Sequence, residues 1–174
     1  MLMLLFSLIQ KEEPFEREDR ILIPSPKVST YDLKPEMSVY EVKDELIKQI
    51  SSEKYEFIVV NLVNCDLVGH TGIKEAIKKA VEAVDECTGD IVNMGMEHGY
   101  TSIVFADHGN AEDIGGMEKT SHTTNPVSCI LVSKNEDFKK IKLKEGKGLQ
   151  DIAPTVLKLM GIEKPKEMTG ESLI

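Results

Sequence analysis

The stretch SIVFADHGNAE (Ser102–Glu112) is an apolar run that turns polar at once at Asp107 and His108, and Gly109 then frees the backbone to turn. Continuous rather than alternating apolar character suits a strand covered on both faces, as in a parallel sheet. In open α/β sheets, ligands gather just beyond the carboxyl ends of the strands. An acid and an imidazole delivered together at such an end are therefore placed to bind something. The competing reading is a helix-capping Asp beside an exposed His.

Outward from this stretch, three more apolar runs have strand length: Leu2–Ile9, Phe57–Val63 and Val127–Val132. Helical patterns lie between them. Ser38 with Glu41 has capping-box spacing, and Val42, Leu46, Ile47 and Ile50 continue as an apolar stripe. A longer helical pattern, broken once, runs from Gly72 to His98 with Gly99 as its stop. Asp151 starts a last helix carrying Ile152, Val156, Leu157 and Met160 inward, and Gly161 ends it. The span from Pro14 to Pro35 reads as a connection with little helix of its own. Strands alternating with helices predict a layered α/β fold. A length of 174 residues fits one domain.

Two further clusters resemble the first. In NLVNCDLVGHTG (Asn61–Gly72) an apolar strand ends and Asp66 and His70 follow, expected in the turn before a helix. A carboxylate and an imidazole four residues apart can converge there on one cation. In TSHTTNP (Thr120–Pro126), His122 sits in a polar loop before another apolar run. Three of the four His residues thus lie at strand-edge turns. His98, beside Gly99, reads instead as a helix-terminal cation. Asp66, His70, Asp107, His108 and His122 form a mixed oxygen and imidazole set that suits Mn or Zn. Two such ions a few Å apart can clamp the attacking and leaving oxygens of a phosphoryl group. Five ligands are few for two ions, so a partner segment or substrate is expected to supply the rest.

Composition limits the alternatives. A formal charge of −9, with Lys134–Lys147 and Glu163–Glu167 interleaving both signs, reads as a solvated surface and argues against nucleic acid. Cys65, Cys87 and Cys129 contain no CxxC pair, which argues against a disulfide framework and suits a reducing cytoplasm. Met1–Ile9 is too short to span a membrane and lacks the flanks of a signal peptide, so a buried strand is expected there.

NCDLVGHTG, ADHGNAE and SHTTNPV, in this order, resemble the metal motifs of the alkaline phosphatase superfamily. DRILIPSPKVSTYDLKPEMS (Asp19–Ser38) and the ending DIAPTVLKLMGIEKPKEMTGESLI resemble cofactor-independent phosphoglycerate mutase, and the similarity runs from about Glu12 to Ile174. The resemblance implies a three-layer parallel-sheet domain with helices on both faces, incomplete at its amino-terminal side. It implies interconversion of 3-phosphoglycerate and 2-phosphoglycerate through a phosphoserine intermediate, with two divalent ions, Mn first and Zn as the alternative. By motif, Asp66, His70 and His122 belong to one metal site, and Asp107 and His108 contribute to the second.

The resemblance also marks departures. The family's amino-terminal segment, with its Asp and nucleophilic Ser, has no counterpart in residues 1–174. Neither has the inserted domain that holds the phosphoglycerate. The first ten residues do not match the family's strand, Ser128 stands where Pro is usual, and the loop between His108 and His122 is short. The expectation is a single metal-binding domain, residues 1–174, that is inactive alone and takes phosphoglycerate only if the missing segments are supplied, with an amino-terminal companion polypeptide as a candidate partner. The alternatives are a non-catalytic metal-binding or complementing subunit, and another phosphatase or mutase of the same superfamily.

Overall fold

The computed structural model describes residues 13–113 and 120–174, together with the backbone of residues 2–6. The rest of the run to Ile9 and most of the loop between His108 and His122 lie outside the described residues. The chain opens with β1 (Leu2–Phe6) and β2 (Glu18–Leu22), and a turn of 3-10 helix follows at Tyr31–Leu33. Next come α1 (Val39–Ser51), β3 (Phe57–Val60), the short α2 (Asn64–Gly69) and α3 (Lys74–Glu97). After these are β4 (Ser102–Phe105), β5 (Cys129–Val132), α4 (Glu136–Lys139), a 3-10 turn at Leu149–Asp151 and α5 (Ile152–Leu159).

Each of the four apolar runs contains a strand. β2 does not arise from such a run. Its sequence EDRIL opens with three charged residues, a pattern without the apolar signature of a covered strand. The Glu18 side chain is nevertheless buried, and its carboxylate accepts hydrogen bonds from the Phe15 backbone and the Arg20 guanidinium. The Arg20 bond holds that carboxyl below its usual range. Once paired in this way, the charged strand can occupy a sheet edge.

β2, β1 and β3 form a parallel sheet with β1 in the middle, Leu2 opposite both Glu18 and Phe57. Parallel strands of one sheet require crossover connections, and α1 lies in the one that carries the chain from β2 past β1 to β3. The Leu46, Ile50 and Tyr55 cluster packs against Ile21 and Ile23, Ile58 and Val60, and Ile91 and Met94. It therefore joins α1, β2, β3 and α3 in one core. Small residues at helical spacing, Ala76, Ala80, Ala83 and Cys87, form the buried stripe of α3 and let its neighbours approach closely.

The second sheet differs from the parallel expectation. β4 and β5 pair antiparallel, with Ser102 opposite Val132 and Phe105 opposite Cys129. Nor are these strands covered on both faces as expected, since Phe105 and Ile130 are exposed; an unbroken apolar run marks a strand but carries no direction. Direction here is set by the return of the chain after Glu112.

Three helix details also differ from expectation. Ser38 occupies the N-cap position of α1 but makes no side-chain cap bond; its hydroxyl donates to the Pro24 carbonyl at 2.8 Å and ties down the proline-rich connection. α3 continues unbroken for 24 residues, and a Cβ added at Gly89 within it would meet nothing within 4 Å. Asp151 precedes α5, yet its carboxylate accepts from Gly148 N at 2.8 Å and from Glu171 N at 2.7 Å. That arrangement fastens the carboxy-terminal tail. Gly99 and Gly161 end their helices with φ of 80° and 69°, the left-handed turn that favours glycine. No helix of the described residues is long and apolar enough to cross a membrane.

Candidate metal centre

The sequence expectation placed Asp66 and His70 in a turn; Asp66 instead stands on the helix α2, while His70 does lie in the turn that caps its end. Residues four apart on a helix share one face, and His70 Nε2 lies 3.1 Å from Asp66 Oδ1. The opposite face anchors the helix. Val68 is fully buried and packs with Met37, Ala76, Ile77 and Ala80. Buried Asn64 donates from Nδ2 to the carbonyls of Pro35 at 3.0 Å and Glu36 at 2.9 Å. A helix this short has little stability of its own, so these contacts hold its polar face in place.

His122 arrives from the loop before β5. Its Nε2 lies 3.0 Å from Asp66 Oδ1 and 3.1 Å from His70 Nε2. The donor atoms of Asp66, His70 and His122 all lie within 4.8 Å of one another. His70 Nδ1 is 2.6 Å from the Thr120 carbonyl. A carbonyl only accepts, so Nδ1 carries the proton and, in the neutral ring, Nε2 presents a lone pair inward. Two acceptor atoms, a carboxylate oxygen and this imidazole nitrogen, therefore converge with a second imidazole nitrogen on one point. Such a set is unsatisfied until a proton or a cation occupies it. The edges of the triangle are close to the roughly 3.3–3.4 Å left between ligands of a tetrahedral ion with bonds of about 2.0–2.1 Å. Donor chemistry and spacing both fit a divalent ion of the Mn or Zn kind.

Asp107 and His108 lie immediately beyond β4. His108 Nε2 is 3.7 Å from Asp107 Oδ1 and 3.8 Å from Asp66 Oδ1, and its ring stacks on His122 with centroids 3.7 Å apart. The pair thus adjoins the Asp66 group without belonging to it. The Asp107 side chain is 73% exposed and faces open space. His98 caps the end of α3, with Nδ1 3.1 Å from Glu53 Oε1 and no place in the cluster.

Four polar residues of the site lay inside the quoted motifs but were not singled out from sequence. Asn110 is buried and donates from Nδ2 to Asp66 Oδ1 at 2.8 Å. Glu112 accepts from Asn110 N at 2.7 Å, from Asn125 Nδ2 at 2.9 Å and from the Thr123 hydroxyl. The Thr123 bond is the largest cause, ahead of Asn125, of a Glu112 pKa lowered to about 2. The signal was available in ADHGNAE and SHTTNPV, where polar side chains crowd directly beside the candidate ligands. Glycine makes two of these approaches feasible. A Cβ at Gly69 would collide with the Asn110 carboxamide, and one at Gly109 would collide with Thr123 and Glu112. On its other side His70 borders an open cleft of about 560 Å³, lined also by Ser29–Asp32, Thr71 and Ile73.

The family model of the metalloenzyme superfamily matches residues 6–164. A 2,3-bisphosphoglycerate-independent phosphoglycerate mutase of Bacteroides thetaiotaomicron is 54% identical over 167 residues, covering 94% of this chain and 32% of the relative. Mutase 2 of Methanosarcina barkeri is 55% identical over 168 residues, covering 94% and 31%. The chain therefore spans about a third of the length of the curated relatives it matches. Among solved structures, Leishmania mexicana phosphoglycerate mutase, crystallised at low cobalt concentration, superposes with a TM-score of 0.86 at 25% identity, over 99% of this chain and 36% of that one. The α/β fold is thus shared with a phosphoglycerate mutase, as an alkaline-phosphatase-like domain requires. With its family model matched across nearly the whole sequence, the chain belongs to the metalloenzyme superfamily.

Proposed function

We propose that this chain forms the metal-holding part of a phosphoglycerate mutase, interconverting 3-phosphoglycerate and 2-phosphoglycerate in glycolysis through a phosphoserine intermediate. The observation that carries the reading is the convergence of Asp66, His70 and His122 on one point. It occurs in a chain more than half identical, over 94% of its length, to enzymes of that name. Asp66, His70 and His122 would hold one divalent ion. Asp107 and His108 would contribute to a second, with Mn the first choice and Zn the alternative. Divalent ions supply positive charge that neutralises phosphoryl oxygens and lowers the pKa of a hydroxyl nucleophile. The chain's own residues prepare for this. Thr120 fixes the His70 tautomer, and Asn110 orients Asp66.

Residues 1–174 act as one metalloenzyme domain, and the nucleophilic hydroxyl and the phosphoglycerate clamps come from other sequence. Among the described residues, no serine hydroxyl is hydrogen-bonded to Asp66, His70, His108 or His122. β3 pairs only with β1, and β4 only with β5, among the described strands. An edge of each is therefore free to receive a strand from a companion segment. The setting is a reducing cytoplasm, in keeping with three free cysteines, and neither nucleic acid nor membrane is a partner.

A coupled enolase assay with 3-phosphoglycerate and Mn tests the proposal. The 174-residue chain alone should be silent. A mixture with the remaining two thirds of the Bacteroides thetaiotaomicron relative should turn over. Robust turnover by the chain alone would overturn the division of labour. A silent mixture that nonetheless forms a stable complex would overturn the mutase reading.

A further inference from the structure

The parts of the metal centre are held very unequally. Asp66 stands on α2 and His70 caps its end, and that helix is fastened to the core by Val68 and Asn64. His122 has no such base: it is exposed, as are Thr120, Ser121, Thr124 and Asn125 around it, and only Thr123 beside it is partly buried. Something outside the apolar core must therefore bring that loop to Asp66.

The hydrogen bonds show what does so. Glu112 Oε2 accepts from Asn110 N at 2.7 Å, on the segment that follows Asp107 and His108. Glu112 Oε1 accepts from the Thr123 hydroxyl and from Asn125 Nδ2, both on the segment carrying His122. Thr123 N donates to the Gly109 carbonyl at 2.8 Å, which closes a bridge between the same two segments. Asn110 in turn donates to Asp66. The connection runs without a gap from Asp66 through Asn110 and Glu112 to Thr123, the residue next to His122.

We propose that Glu112 is a positioning residue that sets the affinity of the metal centre by tying the His122 loop to the Asp107 loop. A carboxylate suits this place because both of its oxygens must accept. A glutamine of the same shape would present its NH2 group to a donor on one side or the other. Glu112 is itself exposed, so packing gives no reason for an acid here. The inference rests on the metal reading of Asp66, His70 and His122, and supplies the residue that makes their arrangement persist.

The test measures Mn affinity of the full 174-residue chain by competition with a chelating indicator, alongside thermal melting in EDTA. Glu112→Gln should weaken Mn binding roughly tenfold, as loss of a hydrogen bond supporting a ligand does. Asn125→Ala, an exposed truncation that removes one donor, should weaken it in the same direction without moving the melting temperature in EDTA. The double variant should bind little worse than Glu112→Gln alone, because both changes cut the same tie. If wild type binds Mn and both variants bind equally well, the Glu112 inference is overturned and the metal reading stands. If wild type binds no ion, both fall. If Glu112→Gln melts early in EDTA, Asn125→Ala decides between tie and scaffold.

Discussion

Replacing Gly69 with Ala separates stability from metal binding at a single atom. Gly69 is a buried residue at the end of α2, facing Asn110. An added Cβ would lie 2.8 Å from Asn110 Cγ and 3.1 Å from Nδ2, with Oδ1 nearer still. Unstrained carbon contacts are about 3.5–4.0 Å, so the carboxamide must retreat by roughly 1 Å. The Nδ2 bond to Asp66 Oδ1 is 2.8 Å. A retreat of that size carries it past the roughly 3.6 Å at which such a contact stops being a hydrogen bond. In the folding balance the two effects oppose. Ala gains about 1 kcal/mol in a helix, whereas overpacking a filled site costs about 1–3 kcal/mol. The expected net loss is about 0–2 kcal/mol, or a melting temperature lower by about 0–8 °C for a chain of this length. Asp66, released from its orienting donor, should hold Mn about tenfold more weakly, an effect of about 1.4 kcal/mol. Melting in EDTA and Mn titration by chelator competition give the two numbers independently. A Gly69→Ala chain that melts higher and binds Mn as wild type does would refute the reasoning, because Asn110 would then yield at no cost to Asp66.

Replacing His122 with Ala should weaken Mn binding far more than replacing His98 with Ala, since His98 stands at the end of α3 beside Glu53; equal effects in the titration would count against the ligand assignment. Thr155→Val keeps the volume of a fully buried side chain but removes the acceptor of Leu173 N at 2.8 Å. Leaving that N–H unpaired should cost about 1–3 kcal/mol in urea denaturation, and a loss under 0.5 kcal/mol would show that the tail finds another acceptor. Asp151 has its carboxyl held below the usual value of 3.8, first by the Gly148 N–H and then by the Glu171 N–H. Its contribution is therefore fully present above about pH 4 and is lost as pH falls through the depressed value. Asp151→Asn should melt below wild type at neutral pH, and the difference should shrink as both are titrated below pH 3.8; a gap that stays constant with pH would contradict this.

Asp107-His108 at the end of an apolar run was legible in the sequence because a strand writes itself as consecutive apolar residues and a site as the polar break after them, even though Phe105 in that run stays exposed. The same logic found β1, β3 and β5, and it fails for β2, whose opening charges are buried in pairs. Charge pairing depends on the Phe15 amide and the Arg20 guanidinium reaching the Glu18 carboxylate, and a linear pattern does not display it. The direction of β5 was not legible either, since apolar continuity is the same read forwards or backwards. For the site, residue types with metal chemistry were visible. The polar groups that orient them stood in the same motifs, but their types did not single them out, because asparagine, threonine and glutamate also occur throughout exposed loops.

The way the centre is built also orders its loss. α2 is locked through Val68 to the Ala76, Ile77 and Ala80 face of α3, in the same cluster as Met37. Met37 itself sits at φ 46°, a left-handed conformation that costs a non-glycine residue about 1–2 kcal/mol and is retained because its side chain is buried. Two of the three corners of the ligand triangle, Asp66 and His70, therefore survive as long as the core does. The third corner, His122, depends on hydrogen bonds that water can replace: those at Glu112, Thr123 N to the Gly109 carbonyl, and His70 Nδ1 to the Thr120 carbonyl. Opening of such polar ties requires less free energy than global unfolding. The His122 loop should thus leave the triangle while Asp66 and His70 still stand together. An ion bound by all three ligands would couple the loop to the core, so saturating metal should raise protection of the loop amides from hydrogen exchange more than that of α2. Because linkage acts only on states with different affinity for the ion, the size of that difference measures how much of the site the core builds and how much the ion must complete.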